Sequence, residues 1–458
     1  MQQTQRRLHL IGAGGSGLSS LASYLLQRGD EVTGFDAKES LALDSLRAQG
    51  ARIPVAVEEL DDVDEVIHTA ALGAEHPELV AARTRGIPTG KYAEFLGREI
   101  ADMRGLAVAG THGKTTTAGF LAHILTEAGL DPCAVMGGYP RGWRAPGRFG
   151  RGRLFVVEAC EYDRSFLQLR PRAAIITNVE ADHLDYYGDE ASLREAFHDF
   201  LALLPMQGPV IIHESAASAL DLSRVGTRCV IVGEGKGVTD QITPLTRPSG
   251  LPTATLRVLG KKPVLIAPSL PGRHNLANAA LAASMALRVG VREERVELAI
   301  RSFQGMSRRL EPLGRRQGRL FFSDYAHHPT EIRAVREALR ERWPERRLLV
   351  VYQPHQASRT AWFRDRFADE LSRFDDLILP GIFSVREDGG RVAEEERLLS
   401  EALQRRGCLP TEVDGLGAVM NAVFEVSREG DVVVLMGAGN IDELADPMRV
   451  RAKEAAGV

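Results

Sequence analysis

AGTHGKTTT, residues 109–117, decides how this sequence folds. It follows the apolar run LAVAG and leads into a helical run from Thr115 to Ala128 that stops at Gly129. Strand, glycine-rich loop and helix in that order form the context a phosphate loop requires. Gly110 and Gly113 let the backbone come close to a phosphate and turn its amides inward, and the following helix adds its N-terminal dipole. Lys114 supplies a point charge for β and γ phosphates, and the Thr115 hydroxyl suits Mg²⁺. Thr111, His112 and Thr116 complete the loop. The chain has seven lysines against fifty arginines, so a lysine here is less easily incidental. The spacing G-x-x-G-K-T is two residues shorter than the standard nucleotide-binding pattern. A nucleotide with Mg²⁺ is the expected ligand pair.

Upstream, the first hundred residues alternate strand and helix. RLHLIGA, EVTGFDA, VDEVIHTA and the segment around IPTGK read as strands, and SGLSSLASYLLQRG as a helix ending at Gly29. Such alternation is the pattern of a parallel, doubly wound sheet. A second glycine loop, Gly12-Ala-Gly-Gly-Ser-Gly17, joins the first strand to its helix, with Asp36 at the end of the next strand. That arrangement suits NAD and a dehydrogenase, but the same amides cradle a nucleotide-sugar diphosphate. A tight turn without a ligand would also explain it.

Downstream, VVEACEYD puts Glu158 at the end of a strand, where an acid commonly completes a Mg²⁺ site. TNVEADHLD places Glu180, Asp182, His183 and Asp185 beyond the next strand, and ligands of open α/β sheets bind at such carboxyl ends. Turn capping by Asp182 or Asp185 is the plainer alternative, as is a hydrogen-bonded His183 in the core. A less regular region then extends to about residue 270, followed by the helical HNLANAALAASMALRVG. The last third carries the apolar strands RLLVVYQP, DDLILPGI and DVVVLMGAG between charged helices. Two polar clusters follow strands there, SDYAHHPTE with Asp324, His327 and His328, and YQPHQASRT with His355 and Arg359. A helix start alone would account for Asp324 or Thr330, and a solvated loop for Arg359. Paired clusters after parallel strands are better explained by a binding cleft.

Length and composition agree with this division. A chain of 458 residues exceeds one ordinary core. Its net charge of -4 offers no general attraction to nucleic acid or an anionic membrane, so an anionic ligand must be held locally. Cys133, Cys160, Cys229 and Cys408 lie far apart, which argues against a disulfide framework or zinc knuckle. Arg6-Arg7 before an apolar stretch superficially resembles a targeting signal, but His9 and four glycines break the run. The expectation is a cytoplasmic protein that is a monomer or homodimer and binds neither nucleic acid nor membrane.

Taken together, GTHGKTTT, TNVEADHLD, GRHNLANAALAA, RRLE, SDYAHHPTE and MGAGN occur in the order and spacing that resembles the Mur ligase family over essentially the whole chain. HHPTE with QPH…RT is most similar to the branch that adds L-alanine. The resemblance implies an α/β protein of three domains: a Rossmann-like UDP-sugar domain (1–103), a central ATPase-type domain (104–312) and a Rossmann-like amino-acid domain (313–458). It implies ATP-dependent amide formation between UDP-N-acetylmuramate and L-alanine in peptidoglycan precursor synthesis. A ligase that recycles a murein tripeptide is the near alternative. Lys114 and Thr115 would serve the ATP phosphates, with Thr115, Glu158 and His183 at magnesium. Asn275 and Asn278 would lie near adenine and ribose, and Arg309 and Asp324 would help close the site. Gly12, Gly14, Gly15, Ser16, Gly17 and Asp36 would hold the uridine diphosphate. Tyr325, His327, His355 and Arg359 would surround the alanine, with His327 or His355 assisting amine deprotonation. Cys160, Gln356 and Asn440 depart from the family pattern, as does the stretch from Arg52 to Glu75. No lysine occurs between 115 and 235, as the alanine-adding branch leads one to expect.

Overall fold

The structure, a computed structural model, describes residues 5–56, 59, 62–246, 250–384 and 387–453. Three sheets organise it. The first contains β1 (Arg7–Ile11), β2 (Glu31–Phe35), β3 (Glu65–His68) and β4 (Thr89–Lys91), all parallel and in the order β2-β1-β3-β4. Its strands are short apolar runs, and Leu8, Leu10, Val66 and Ile67 are buried. The chain leaves β1 towards β2 on one side and returns to β3 on the other, so a crevice opens beyond the end of β1. The glycine loop Gly12–Gly17 fills it and runs into the helix Ser16–Arg28. Gly29 ends that helix in the left-handed region, where its lack of a Cβ removes the steric penalty. The stretch after Arg6-Arg7 is thus a strand, a loop and a helix buried from Leu18 to Leu25. No helix among the described residues is long and apolar enough to cross a membrane.

The second sheet has nine strands: β5 (Arg104–Ala109), β6 (Cys133–Val135), β7 (Leu154–Glu158), β8 (Ala173–Ile176), β9 (Val210–His213), β10 (Cys229–Gly233), β11 (Asp240–Leu245), β12 (Thr253–Arg257) and β13 (Val264–Ile266). Their order is β13-β12-β11-β10-β9-β8-β5-β7-β6. β5 lies between β7 and β8, parallel to both, at a second reversal of strand order. The phosphate loop therefore leaves a central strand that is buried from Gly105 to Ala109. The less regular region expected before residue 270 proves to be ordered, and this corrects the sequence reading. It holds β9 and β10 as parallel strands and β11 to β13 as an antiparallel extension. Their period was hidden because several of them are short and the outer strands expose polar residues on one face.

The third sheet contains β14 (Glu311–Arg316), β15 (Arg319–Asp324), β16 (Leu348–Tyr352), β17 (Asp376–Leu379), β18 (Thr411–Glu412) and β19 (Val432–Met436), in the order β14-β15-β19-β16-β17-β18. β14 is antiparallel to β15 and the others are parallel. Asp324 and Tyr352 both pair with Met436, so β15, β19 and β16 end level with one another. Three loops that are far apart in sequence consequently emerge side by side.

By backbone proximity the chain forms two compact units. One takes in the first two sheets, through Gln304. The other takes in the third sheet with short segments ending at Pro252 and Asn275. In the first unit, the Ser20 hydroxyl donates to the Pro146 carbonyl and accepts from the Met136 amide, and Gln27 bonds Gly147 and Phe149, which ties the first sheet's leading helix to the second sheet's loops.

Candidate active site

The phosphate loop is shaped by its own glycines and braced by the loop after β8. Gly110 has φ +132°, and a Cβ there would lie 2.0 Å from the Thr177 hydroxyl. Gly113 has φ +78°, and a Cβ would lie 2.7 Å from the Asn278 side-chain oxygen. Neither position tolerates a side chain. Asn178 accepts from the His112 amide at 2.8 Å and donates to its carbonyl at 3.0 Å. Thr111 pairs its hydroxyl with both backbone groups of Glu180. The helix Lys114–Glu127 starts at this loop without a side-chain cap, leaving first-turn amides for an anion.

Lys114 turns back across the loop. Its ammonium donates to the Gly110 carbonyl at 2.6 Å, the Thr111 carbonyl at 3.0 Å and both oxygens of Glu161 at 2.8 and 3.0 Å. Burial alone would push this amine down, but Glu161, with Cys160 and Glu158 beside it, outweighs burial and holds it above the ordinary lysine range. Glu161 is 1% exposed, and its carbonyl accepts from the Tyr187 hydroxyl. The sequence reading passed over this residue, because Glu158 is a nearer match to an acid at a strand end. Three positions separate them, so only the fold reveals which carboxylate meets the lysine.

Glu158 has a different task. One oxygen accepts from the Thr115 hydroxyl at 3.1 Å and the other from the Gly137 amide at 2.7 Å. Thr115 and Glu158 together present hard oxygen donors beside the phosphate loop, a set that suits Mg²⁺. His183 has φ +52°, uncommon for a residue with a side chain, and opens the short helix Leu184–Tyr187. Its amide donates to Asp182 and its ring packs on Tyr162. Cys160 lies in the loop that follows Glu158 and is exposed.

In the first glycine loop, Gly12 has φ +87°, and Gly14 donates its amide to Asp36 at 2.8 Å. The other Asp36 oxygen accepts from the Lys38 amide. This carboxylate is engaged in closing the loop. A Cβ on Gly17 would stand 3.2 Å from the Tyr92 ring, so that glycine lets the helix start approach Tyr92.

In the third-sheet unit, the loops after β15 and β16 bring Tyr325, His327, His355 and Arg359 together. Ring centroids are 5.3 Å apart for Tyr325 and His327, and 6.4 Å for His327 and His355. Arg359 Nη1 lies 3.4 Å from His355 Nδ1. Tyr325 also receives the Arg308 and Arg309 guanidinium groups on its ring. His327 Nδ1 faces the Tyr325 carbonyl at 3.1 Å and Glu331 at 3.2 Å. Burial, then Arg359, pushes His355 down to about 4, so its imidazole is neutral near pH 7. Asp324 accepts the Leu310 and Ala326 amides, each at 2.7 Å. Burial raises it to about 6 even though Arg309 and those amides oppose the rise. Asn275 bonds the Pro271 carbonyl, and Asn278 lies one helical turn further along Arg273–Arg288. Glu331, Phe383 and Glu387 were not anticipated. The HHPTE motif contains Glu331, but the other two lie in a loop without a recognisable pattern.

Comparisons with known proteins match this geometry to one family. The Mur ligase middle domain model matches residues 108–286, the Mur ligase family catalytic domain model residues 7–104, and the Mur ligase glutamate ligase domain model residues 308–439. The chain is 37% identical over 443 residues to the UDP-N-acetylmuramate–L-alanine ligase of Renibacterium salmoninarum, covering 95% of this chain and 94% of that protein. The crystal structure of the UDP-N-acetylmuramate-alanine ligase MurC of Thermotoga maritima superimposes with a TM-score of 0.82 at 24% identity, over 98% of this chain and 100% of that one. A murein peptide ligase of Psychrobacter arcticus gives 0.73, also at 24% identity, over 99% of each chain. These two likenesses are of fold.

Proposed function

We infer the reaction from one premise: this chain belongs to the Mur ligase family. It is an ATP-dependent ligase that joins L-alanine to the lactyl carboxylate of UDP-N-acetylmuramate in peptidoglycan precursor synthesis, releasing ADP and phosphate. The observation that carries this is the 37% identity to an enzyme of that name across nearly the full length of both chains. The murein tripeptide reaction has weaker support, since the relative named for it is matched in fold alone. Family membership leaves the dehydrogenase reading of the first loop without support. Water-soluble nucleotide substrates support the reading of a cytoplasmic enzyme.

A carboxylate is a poor electrophile, because its charge is delocalised and its leaving group is oxide. Transfer of the ATP γ-phosphoryl group makes an acyl phosphate, which the amine of L-alanine attacks with loss of phosphate. The protein's part is to position anions and neutralise developing charge. Lys114 would exchange its loop carbonyls for the β and γ phosphates, while the amides of Gly113 to Thr116 cradle them, with Gly110, Thr111 and His112 shaping the loop. Thr115, Glu158 and His183 would hold Mg²⁺, which when bound neutralises phosphate charge. Asn275 and Asn278 would face adenine and ribose. Arg309 would reach the nucleotide, with Asp324 shaping that edge through the Leu310 amide. Gly12, Gly14, Gly15, Ser16 and Gly17 would form the loop that receives the uridine diphosphate, and the bond from the Gly14 amide to Asp36 holds that loop in shape.

Arg359 would take the alanine carboxylate. Of the two candidate bases, the geometry favours His327. His355 near 4 is too weak a base to draw a proton from an ammonium at neutral pH. His327 is oriented through Nδ1 by the Tyr325 carbonyl and Glu331, the arrangement that leaves Nε2 as the accepting nitrogen. The test is phosphate release from ATP and Mg²⁺ with UDP-N-acetylmuramate, comparing L-alanine with a murein tripeptide. Release that needs the sugar nucleotide and is fastest with L-alanine supports this function. Release with the tripeptide alone overturns it.

A further inference from the structure

We propose that Phe383 sets the size limit on the amino acid this enzyme accepts, its ring and that of His355 forming the wall against which the substrate side chain rests. The proposal rests on the reading of Tyr325, His327, His355 and Arg359 as the amino-acid pocket.

Phe383 lies just past β17, and its ring stacks on His355 with centroids 5.7 Å apart and planes 18° from parallel. The backbone fixes this pairing from both sides. The Phe383 amide donates to the Pro354 carbonyl at 2.8 Å, and its carbonyl accepts from the Gln356 amide at 2.9 Å. Those two bonds bracket His355. Behind the ring stands Gly439, after β19. A Cβ there would lie 2.6 Å from Phe383 Cγ and 2.5 Å from Gln353 Oε1. Gly439 is thus required by close approach, and the ring is wedged between a glycine backbone and an imidazole. Movement towards either neighbour is blocked.

The surrounding charges leave that wall apolar. His355 is neutral near pH 7 for want of solvation, and Arg359 stands on its Nδ1 side. Glu387 accepts the Ala357 amide at 2.7 Å and the Ser358 amide at 2.9 Å, so the first amides of the helix Ala357–Leu371 are already occupied. Burial alone would raise Glu387, but the Ser384 hydroxyl and these amides hold it at about 2. With those amides occupied, the substrate carboxylate goes to Arg359, whose guanidinium stands 3.4 Å from His355, and the side chain of an amino acid so anchored rests on the His355–Phe383 wall. A methyl group fits against a stiff aromatic face. Each added methylene must displace a wedged ring, and a pocket of this kind discriminates by about 10–200-fold per methylene.

The experiment compares kcat/KM for glycine, L-alanine, L-serine and L-valine in the wild type, Phe383→Ala and Phe383→Leu, by phosphate release with UDP-N-acetylmuramate and ATP. Phe383→Ala is expected to narrow the L-alanine to L-valine ratio by about tenfold or more, chiefly by lowering KM for L-valine. KM for ATP and for the sugar nucleotide should stay unchanged. Phe383→Leu keeps an apolar plug should the alanine variant not fold, and is expected to give an intermediate ratio. A wild type active with L-alanine whose preference survives both substitutions overturns the role of Phe383 alone. A wild type that releases no phosphate with L-alanine overturns the pocket reading and this proposal together.

Discussion

The Lys114 ammonium lies 2.8 and 3.0 Å from the two carboxylate oxygens of Glu161, with the lysine side chain 12% exposed and the glutamate 1%. The charge assigned to the phosphates thus has a counter-ion within the protein. Two loop carbonyls complete its hydrogen bonds. The pair keeps a buried cation from being isolated and fixes it over the loop, ready for exchange.

Removing either partner should therefore do two separable things. Lys114→Met loses the phosphate charge, and turnover is expected to fall by about 10²–10³-fold. It also leaves Glu161 buried without its counter-ion, and breaking a buried pair costs about 3–5 kcal/mol. Glu161→Gln should share the loss of stability while retaining more activity, since the lysine remains. Thermal melting and ADP formation measured on both variants check this. Equal melting temperatures for wild type and Glu161→Gln would contradict the pairing.

The Thr115 hydroxyl and Glu158 form the oxygen pair assigned to Mg²⁺. Thr115→Ala is expected to raise the Mg²⁺ concentration for half-maximal activity by about tenfold or more, as loss of a metal-site group does elsewhere. Binding of the sugar nucleotide alone, measured by calorimetry, should not change. A Mg²⁺ titration that superimposes on the wild type's would remove Thr115 from the metal site.

Much of this was legible beforehand, for a physical reason. The phosphate loop and the two polar clusters each combine a buried strand, glycines or histidines and a helix start within ten residues or so. Local order of that kind is written locally. Gly110 and Gly113 were recognised by spacing, and the structure supplies the close approaches that demand them. Glu161 and Phe383 were not legible, because their importance comes from partners 47 residues away for Glu161 and in another loop for Phe383. Asp36 was visible as a strand-end acid, but not its bond to the Gly14 amide. The short strands between β8 and the helix Arg273–Arg288 escaped notice, since three to six residues hold too few repeats of a period.

Three groups of the third-sheet unit titrate in opposing senses below neutrality. His274 and His355 are both pushed down to about 4 by burial, so their contribution to stability is lost as pH falls from about 6.5 through 4. Asp324 is raised to about 6, so its contribution is present at low pH and is lost as pH rises from about 4 through 6. The aspartate thus offsets part of the acid loss. Asp324→Asn removes the offset, and its melting temperature is expected to fall more steeply than the wild type's between pH 6 and 4. Parallel curves would contradict the shift assigned to Asp324.

Arg359 carries the substrate carboxylate in this account, and a lysine offers charge without the planar fork. Arg359→Lys should raise KM for L-alanine by about 10-fold or more, the scale of one hydrogen bond to a charged group, with kcat less affected. Steady-state kinetics at saturating ATP and UDP-N-acetylmuramate decide this. A change confined to kcat, with KM for L-alanine unaltered, would place Arg359 elsewhere in the reaction.

The most direct test of the central claim follows an oxygen atom. UDP-N-acetylmuramate labelled with ¹⁸O in both lactyl carboxylate oxygens is turned over with ATP, Mg²⁺ and L-alanine, and the released phosphate is analysed by mass spectrometry. Activation through an acyl phosphate transfers one ¹⁸O to each phosphate and leaves the other in the new amide. Phosphate that carries no label, or ATP cleavage that proceeds equally well without L-alanine, would contradict the assignment of this chain as an amide-forming ligase.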